Sequence, residues 1–241
     1  MELLGVEIDN LTREEILARL KMFLDEPKFH QIATINPEFL VEAEKNKDFH
    51  EVLQQCDLRI ADGFGIALAF FLKSERLKCR FPGADLLEEI LNIAEKKKLS
   101  VYLAIRKDGL SSYEEIKFAL LKKYPTLKID GRDFDITKNS SSSLITYPAS
   151  LIHFCNFGAP EQEIFLPSLK GTAGTLRLAM GVGGSFDYIT GKQRRAPEWL
   201  RALGLEWLWR LIRQPKRWRR IWKAVVVFPL KIFRQKENDL L

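Results

Sequence analysis

Cysteine is scarce in this chain: Cys56, Cys79 and Cys155 are the only three among 241 residues. They are widely spaced, form no CxxC pair and cannot all pair with one another. A disulfide scaffold and a structural zinc site are therefore not expected, and a reducing compartment is the simpler setting. Histidine is equally sparse. His30, His50 and His153 show neither HExxH nor any other metal-ligand spacing. The phosphate-binding patterns GxGxxG and GxxxxGK[ST] are both missing. No window offers eighteen apolar residues free of charge, so a membrane span is not expected. The opening "MELLGVEIDN" is acidic and lacks the charged-then-apolar order of a signal segment. One acidic pair, in "DFD" at Asp133–Asp135, falls in a stretch that reads as loop, and no metal site is expected there.

What the chain does contain is apolar residues and an uneven charge. Hydrophobic residues make up 46% of it, enough for a full core with a small appendage and too many for a disordered chain. The net charge of +6 conceals a division. Residues 192–241 carry fourteen Lys/Arg against four Asp/Glu, a balance of +10, which leaves −4 for residues 1–191. Any partner that seeks positive charge therefore meets the C-terminal fifth.

Strand-like and helix-like segments alternate for about 180 residues. "FHQIATIN" reads as a strand ending in polar residues, and "PEFLVEAEKN" as a helix begun by proline. "DLRIAD" is a second strand and "GFGIALAFFL" an apolar helix. "PGADLLEEILNIAEKKK" is a helix with Leu86, Leu87, Ile90 and Ile93/Ala94 on one face. "SVYLAI" is a strand, and "SSYEEIKFALLKKYP" a helix that Ser111 or Ser112 can cap. "LKID", "LIHFCNFG" and "TLRLAMGVGG" read as further strands, with a helix beginning at "APEQEIFLPSL" and a loop at the serine cluster Asn139–Ser143. This alternation predicts an α/β fold with a mostly parallel sheet flanked by helices. The expected organisation is a core over 1–191 and a basic, tryptophan-rich helical appendage over 192–241.

The appendage holds all five tryptophans: Trp199, Trp207, Trp209, Trp218 and Trp222. Leu208, Leu211, Trp218, Trp222, Val225 and Ile232 fall near one stripe, with Arg210, Arg213, Arg217, Arg220 and Lys231 on other faces. Pro215 and Pro229 are expected to divide the run into shorter helices. A basic amphipathic set of this kind suits an anionic bilayer surface. Helices packed on the core with a solvated basic face are the plainer alternative. Nucleic acid would use the charges but has no use for the apolar run Val225–Phe228, and no aromatic platform on alternating strands is visible, so no nucleic-acid partner is expected.

Open α/β sheets bind ligands beyond the carboxyl ends of their strands. Polar residues occupy such positions at Thr34–Asn36, Ala61–Gly63, Asn156–Gly158 and Gly181–Gly184. Asp62 in "IADGFGI" could accept a proton from an attacking hydroxyl, or form an Asx turn or cap with Gly63. Thr34 and Asn36 could serve a sugar or phosphate, and Asn36 before Pro37 could equally cap a helix. Arg80 could reach a phosphate, or be an ordinary surface arginine. Gly181, Gly183 and Gly184 in "GVGGSFDYITG" would let backbone N–H groups approach a phosphate. In "FGAPEQE", Gln162 could bond a base or sugar, while Glu163 reads as a helix-start acid.

These pieces together resemble the WecG/TagA/CpsF family of bacterial glycosyltransferases, from about "TINPEF" to "RLIRQPKRWRR". The most specific parts are "ADGFGI", Arg80–Leu87, "GAPEQE" and "GVGGSFDYITGKQRRAPEWLRALGLEWLWRL". The resemblance implies an inverting, metal-independent enzyme that needs no cofactor beyond its UDP-sugar co-substrate. It would transfer an N-acetylmannosamine-type sugar, or a related N-acetylhexosamine or uronic acid, to a polyprenyl-diphosphate-linked N-acetylglucosamine. The products would be cell-envelope polymers such as teichoic acids and exopolysaccharides. It further implies a peripheral position on the cytoplasmic face of the cell membrane, bound to its anionic surface. An exposed tail of this type could be shielded by lipid, by self-association into a homo-oligomer, or by both.

Carried onto this chain, the resemblance makes Asp62 the general base. Thr34 and Asn36 match the polar pair at the first strand end. Arg80 and Gln162 match donor-binding positions, and Arg210, Arg217 and Arg220 the appendage arginines that complete the site. "YLAIRKDG" and the short serine-rich stretch before "LIHFCNFG" depart from the family pattern and leave the donor sugar open. A non-catalytic sugar-nucleotide or lipid-phosphate binding protein would keep the arginines and the glycine loop but would not need Asp62.

Overall fold

The computed structural model describes residues 1–136, 150–171, 175–215 and 218–238. The serine cluster expected to form a loop, Asn139–Ser143, lies outside the described residues, and so does Arg217.

A short hairpin opens the chain, with β1 at Glu2–Leu3 paired antiparallel to β2 at Val6–Glu7. There follow α1 (Arg13–Asp25), β3 (His30–Ile35), α2 (Pro37–Ala43), α3 (Lys47–Gln55), β4 (Leu58–Ala61) and α4 (Phe64–Leu72). Next come α5 (Gly83–Lys96), β5 (Ser100–Arg106), α6 (Tyr113–Lys123), β6 (Lys128–Phe134), β7 (Ile152–Cys155) and α7 (Glu161–Phe165). β8 (Leu178–Gly181) and α8 (Ser185–Ile189) precede the appendage, which contains α9 (Glu198–Ala202), α10 (Glu206–Arg213), α11 (Trp218–Trp222) and α12 (Phe228–Asn238). Strands β3 to β8 form one six-stranded parallel sheet in the order β4-β3-β8-β7-β5-β6. The fold class is thus α/β with helices flanking a parallel sheet, as the alternation of segments predicts.

Local chemistry explains most boundaries. Asn36 caps α2 by accepting from the Phe39 N–H, and Pro37 supplies the first helical residue. Ser112 caps α6 in a reciprocal box with Glu115. The strands β3, β7 and β8 are buried throughout, as expected where both faces of a parallel sheet are covered.

Two sequence expectations are corrected. Asp133 lies in β6, not in a loop, because the parallel pairing with β5 runs without a break from Ser100↔Lys128 to Arg106↔Phe134. Its carboxylate accepts the Tyr113 N–H at 2.9 Å. Pro229 does not divide helices. It sits at the second position of α12, directly after a π-helical turn at Lys223–Val227. The wider turn accommodates a proline that lacks the N–H and would crowd the carbonyl four residues back.

The chain divides into two compact units. The first comprises Met1–Arg13, Thr34–Pro82 and Arg195–Leu241; the second comprises Glu14–Ala33 and Gly83–Arg194. In the first, the C-terminal helical run packs on α2 and α4, burying Ile221, Phe228 and Ile232. Trp218 and Trp222, which the sequence stripe grouped with Ile232, are instead more than half exposed. The buried residues recur at spacings of seven and four, and the π turn falls between the first two. In the second, Tyr102, Phe134, Phe157, Leu166 and Leu169 belong to one apolar cluster.

Phe228 is 1% exposed and Phe233 51% exposed on the same helix. Phe228→Ala should cost about 3–5 kcal/mol in urea unfolding. Phe233→Ala should stay within about 0.5 kcal/mol.

Candidate active site

The first unit contains a cavity of about 280 Å³. The ends of β3 and β4 supply Asn36 and Asp62, and the chain after each strand adds Pro37, Glu38, Phe64, Gly65 and Leu68. Arg80 also lines the cavity. The appendage contributes Gly204, Glu206, Trp207, Arg210, Ile221, Ala224, Val225 and Pro229. The lining is mostly apolar, with a few convergent charged groups, the usual composition of a small-molecule site.

Asp62 follows β4 directly, and its backbone N–H donates to the Ile35 carbonyl at 2.7 Å. This bond joins the ends of the two strands, so Asn36 and Asp62 leave the sheet side by side. Gly63 then turns with φ of 89°, a left-handed conformation that favours glycine, and α4 starts at the next residue. Asp62 therefore stands at a sharp strand-to-helix turn and lines the cavity. Asn36 does two things. Its Oδ1 caps α2, and its amide nitrogen makes no hydrogen bond to any described residue. Thr34 is buried in β3 and is not among the lining residues.

The arginines are held by specific acceptors. Arg80 donates through Nη2 to the Arg201 carbonyl at 3.0 Å. Arg210 donates to Glu206 Oε1 through Nε at 3.1 Å and Nη2 at 2.5 Å. Arg220 does not line the cavity itself but donates from Nε to Glu38 Oε2 at 2.6 Å, and Glu38 does line it. Arg217 falls outside the described residues. The cavity thus gathers Asn36, Asp62, Arg80 and Arg210, with Arg220 attached through Glu38.

The remaining sequence candidates form a cluster in the second unit. Gln162 is buried, and its Oε1 accepts from Gly158 N–H at 3.1 Å and Gly183 N–H at 3.0 Å. Its Nε2 donates to Glu163 Oε1 at 2.6 Å. Both ends of this amide are therefore engaged in joining the Gly158 and Gly183 turns. Gly181 permits the arrangement, since a Cβ there would collide with Gln162 Nε2 and Glu163 Oε1. Gly184 sits at the start of α8.

Glu163 is the residue that sequence reasoning undervalued. It is buried, Gln31 Nε2 donates to its backbone carbonyl at 3.1 Å, and its Oε2 has no hydrogen-bond partner among the described residues. Burial pushes its carboxyl up to about 8, so it holds a proton at neutral pH. The spacing Glu163, Leu166, Leu169 could have revealed it, because three-residue steps set it on the same face as two buried leucines. Among the described residues, no group of three or more His, Cys, Asp or Glu side chains is arranged to hold a metal ion.

A glycosyl transferase family profile that spans nearly the whole chain, together with the parallel sheet, defines the class of protein as an α/β glycosyltransferase. The chain belongs to the WecG/TagA/CpsF family of glycosyl transferases, whose profile matches residues 1–240. A relative in Bacillus subtilis (strain 168) is 31% identical over 90% of this chain and 84% of its own length. One in Staphylococcus aureus (strain MRSA252) is 29% identical over 99% and 94%. One in Bacillus spizizenii is 32% identical over 83% and 77%. Each of these relatives is named N-acetylglucosaminyldiphosphoundecaprenol N-acetyl-beta-D-mannosaminyltransferase.

The buried carboxyl has a consequence for stability. Glu163 keeps its proton up to about pH 8 in the fold, whereas the unfolded chain releases it near 4.5. The native state binds more protons across that range, so stability falls as pH rises through it. Burial pulls His153 from 6.5 down to about 4, which makes stability rise with pH between those values. Between pH 6.5 and 8 the Glu163 effect remains without this opposition. The melting temperature should fall across that window, and Glu163→Gln should flatten the fall, as scanning calorimetry at half-unit pH steps would show.

Proposed function

We propose that the chain transfers an N-acetylmannosamine-type sugar from a UDP donor to a polyprenyl-diphosphate-linked N-acetylglucosamine, with inversion at the anomeric carbon. The observation that carries the reading is Asp62, a carboxylate at a strand end that lines a cavity with Asn36, Arg80 and Arg210. The names of the relatives support both the transferred sugar and the lipid-linked acceptor. The polymer served would be a teichoic acid or a similar envelope polysaccharide.

The acceptor hydroxyl oxygen attacks the donor anomeric carbon and forms the new glycosidic bond. The bond from that carbon to the β-phosphate oxygen breaks, and UDP leaves with the electron pair. Asp62 takes the hydroxyl proton. Negative charge grows on the departing diphosphate, where Arg80, Arg210 and Arg220 provide guanidinium donors fixed in advance. Thr34, buried in β3, supports the strand end that carries Asn36, and within the second unit Gln162 holds the Gly158 and Gly183 turns together. Arg217 is proposed to act with Arg220. The appendage over 192–241 supplies Glu206, Trp207 and Arg210 to the cavity wall and so completes the site.

A peripheral position on an anionic membrane is part of this proposal. No helix among the described residues is long and apolar enough to cross a membrane. Trp199, Trp218, Trp222, Leu230 and Phe233 are exposed on the basic appendage. Large apolar side chains beside Lys and Arg suit insertion at the headgroup boundary.

Incubation with a panel of UDP-sugars and a short polyprenyl-diphosphate sugar, read by product mass, tests the reaction and its donor. Transfer of N-acetylmannosamine is expected, and donor hydrolysis or no product would overturn the reading. Asp62→Asn should retain donor binding and lose turnover by ~10²–10⁴-fold. A wild-type rate in that variant would remove Asp62 from the role. In a vesicle sedimentation assay, the double variant Trp218→Ala, Trp222→Ala should bind anionic vesicles less well while keeping its circular dichroism spectrum. Undiminished sedimentation would count against the membrane position.

A further inference from the structure

Glu38 and Glu206 line the candidate cavity, and each holds an arginine that the proposed transfer needs at the diphosphate. A carboxylate beside a phosphate site is unfavourable unless it does something for the cations there, because it repels the ligand. The geometry shows what Glu38 can do. Arg220 is anchored by its Nε alone, at 2.6 Å from Glu38 Oε2. Its two terminal nitrogens make no hydrogen bond to any described residue. A guanidinium has five N–H donors in a planar fork, and engaging one edge fixes the direction in which the other points. Arg210 is held similarly, with Nε and Nη2 both directed to Glu206 Oε1.

Two neighbouring pairs provide a contrast. Lys223 meets Glu42 of α2 at 3.3 Å, and Lys231 meets Glu44, just past the end of α2, at 3.1 Å. Neither of these carboxylates lines the cavity, and both pairs join lysines, whose point charge carries no directional fork. They hold helix to helix as surface ion pairs of small energy. The Glu38–Arg220 pair differs because it combines a pocket-lining acceptor with a directional donor.

We infer that Glu38 and Glu206 are positioning residues. Glu38 grips the ε edge of Arg220 so that its remaining N–H groups are presented to the diphosphate of the leaving nucleotide, and Glu206 fixes the ε edge of Arg210 in the cavity wall. This rests on the transfer reaction proposed above. It assigns both carboxylates a role in turnover without contact to the sugar. Since the guanidinium contacts strengthen as the leaving group gains charge, loss of the grip lowers kcat more than it raises the donor KM.

The test uses the full chain on vesicles with UDP-sugar donor and polyprenyl-diphosphate acceptor. Glu38→Gln and Glu206→Gln should each lower kcat by roughly 10-fold or more, the scale of a charge-assisted hydrogen bond, with donor KM changed less than about 3-fold. Glu38→Asp should restore part of the loss, and Glu42→Gln should match wild type. Chemical rescue separates orientation from mere support of the fold. Added guanidinium should restore Arg220→Ala when Glu38 is present and fail to restore it in the Glu38→Gln background. Equal rescue in both backgrounds, or wild-type kcat in Glu38→Gln and Glu206→Gln, overturns the inference. If Arg220→Ala and Asp62→Asn both lose turnover while the glutamate variants do not, the proposed transfer stands and the positioning role alone fails. Wild-type turnover in Arg220→Ala and Asp62→Asn removes both.

Discussion

The candidate site depends on one packing seam, the burial of Ile221, Phe228 and Ile232 as the C-terminal helical run lies on α2 and α4. These three side chains bring residues 204–229 to the strand ends at Asn36 and Asp62, more than 130 positions earlier in the chain. A fully buried aliphatic or phenyl group is worth about 1.5–3 kcal/mol relative to exposure. Such a seam outweighs the ion pairs beside it. The pairs of Glu38, Glu42 and Glu44 with Arg220, Lys223 and Lys231 therefore align a helix that hydrophobic burial already holds.

The seam also organises chemistry of opposite sign. A carboxylate at a strand end and several guanidinium groups share a mostly apolar wall. The Arg210 and Arg220 side chains remain 41% and 50% exposed, so solvent screens their ion pairs, which orient the guanidinium groups more than they stabilise the fold. Arg80 meets a carbonyl, while Arg210 and Arg220 meet carboxylates. The second unit applies the same economy at Gln162, whose amide joins two glycine turns and a protonated Glu163.

Much of the fold was legible in local pattern. The caps at Asn36 and Ser112 follow from residue type and spacing, and so do the strands at His30–Ile35 and Ser100–Arg106. Asp62 was legible as a strand-end carboxylate because the apolar run before it and Gly63 after it mark a strand leaving the sheet. Asp133 and Pro229 were misread for complementary reasons. The strand status of Asp133 comes from pairing with a neighbour, and Pro229 is tolerated by a π turn that local rules do not anticipate. Trp218 and Trp222 were grouped with Ile232 because an unbroken helical period ignores that turn.

The amino-acid sequence by itself determined the α/β class, the polar residues at the strand ends and the concentration of tryptophan and positive charge in the last fifty residues. These follow from short-range stereochemistry and composition, which act wherever the segment lies. Only the tertiary structure decided that Glu38 meets Arg220 across 182 positions, that Gln162 is spent on two backbone N–H groups, and that Glu163 is buried with a proton. Partner choice and desolvation belong to the packed state, since the same glutamate is a solvated charge in one environment and a neutral hydrogen-bonding group in another.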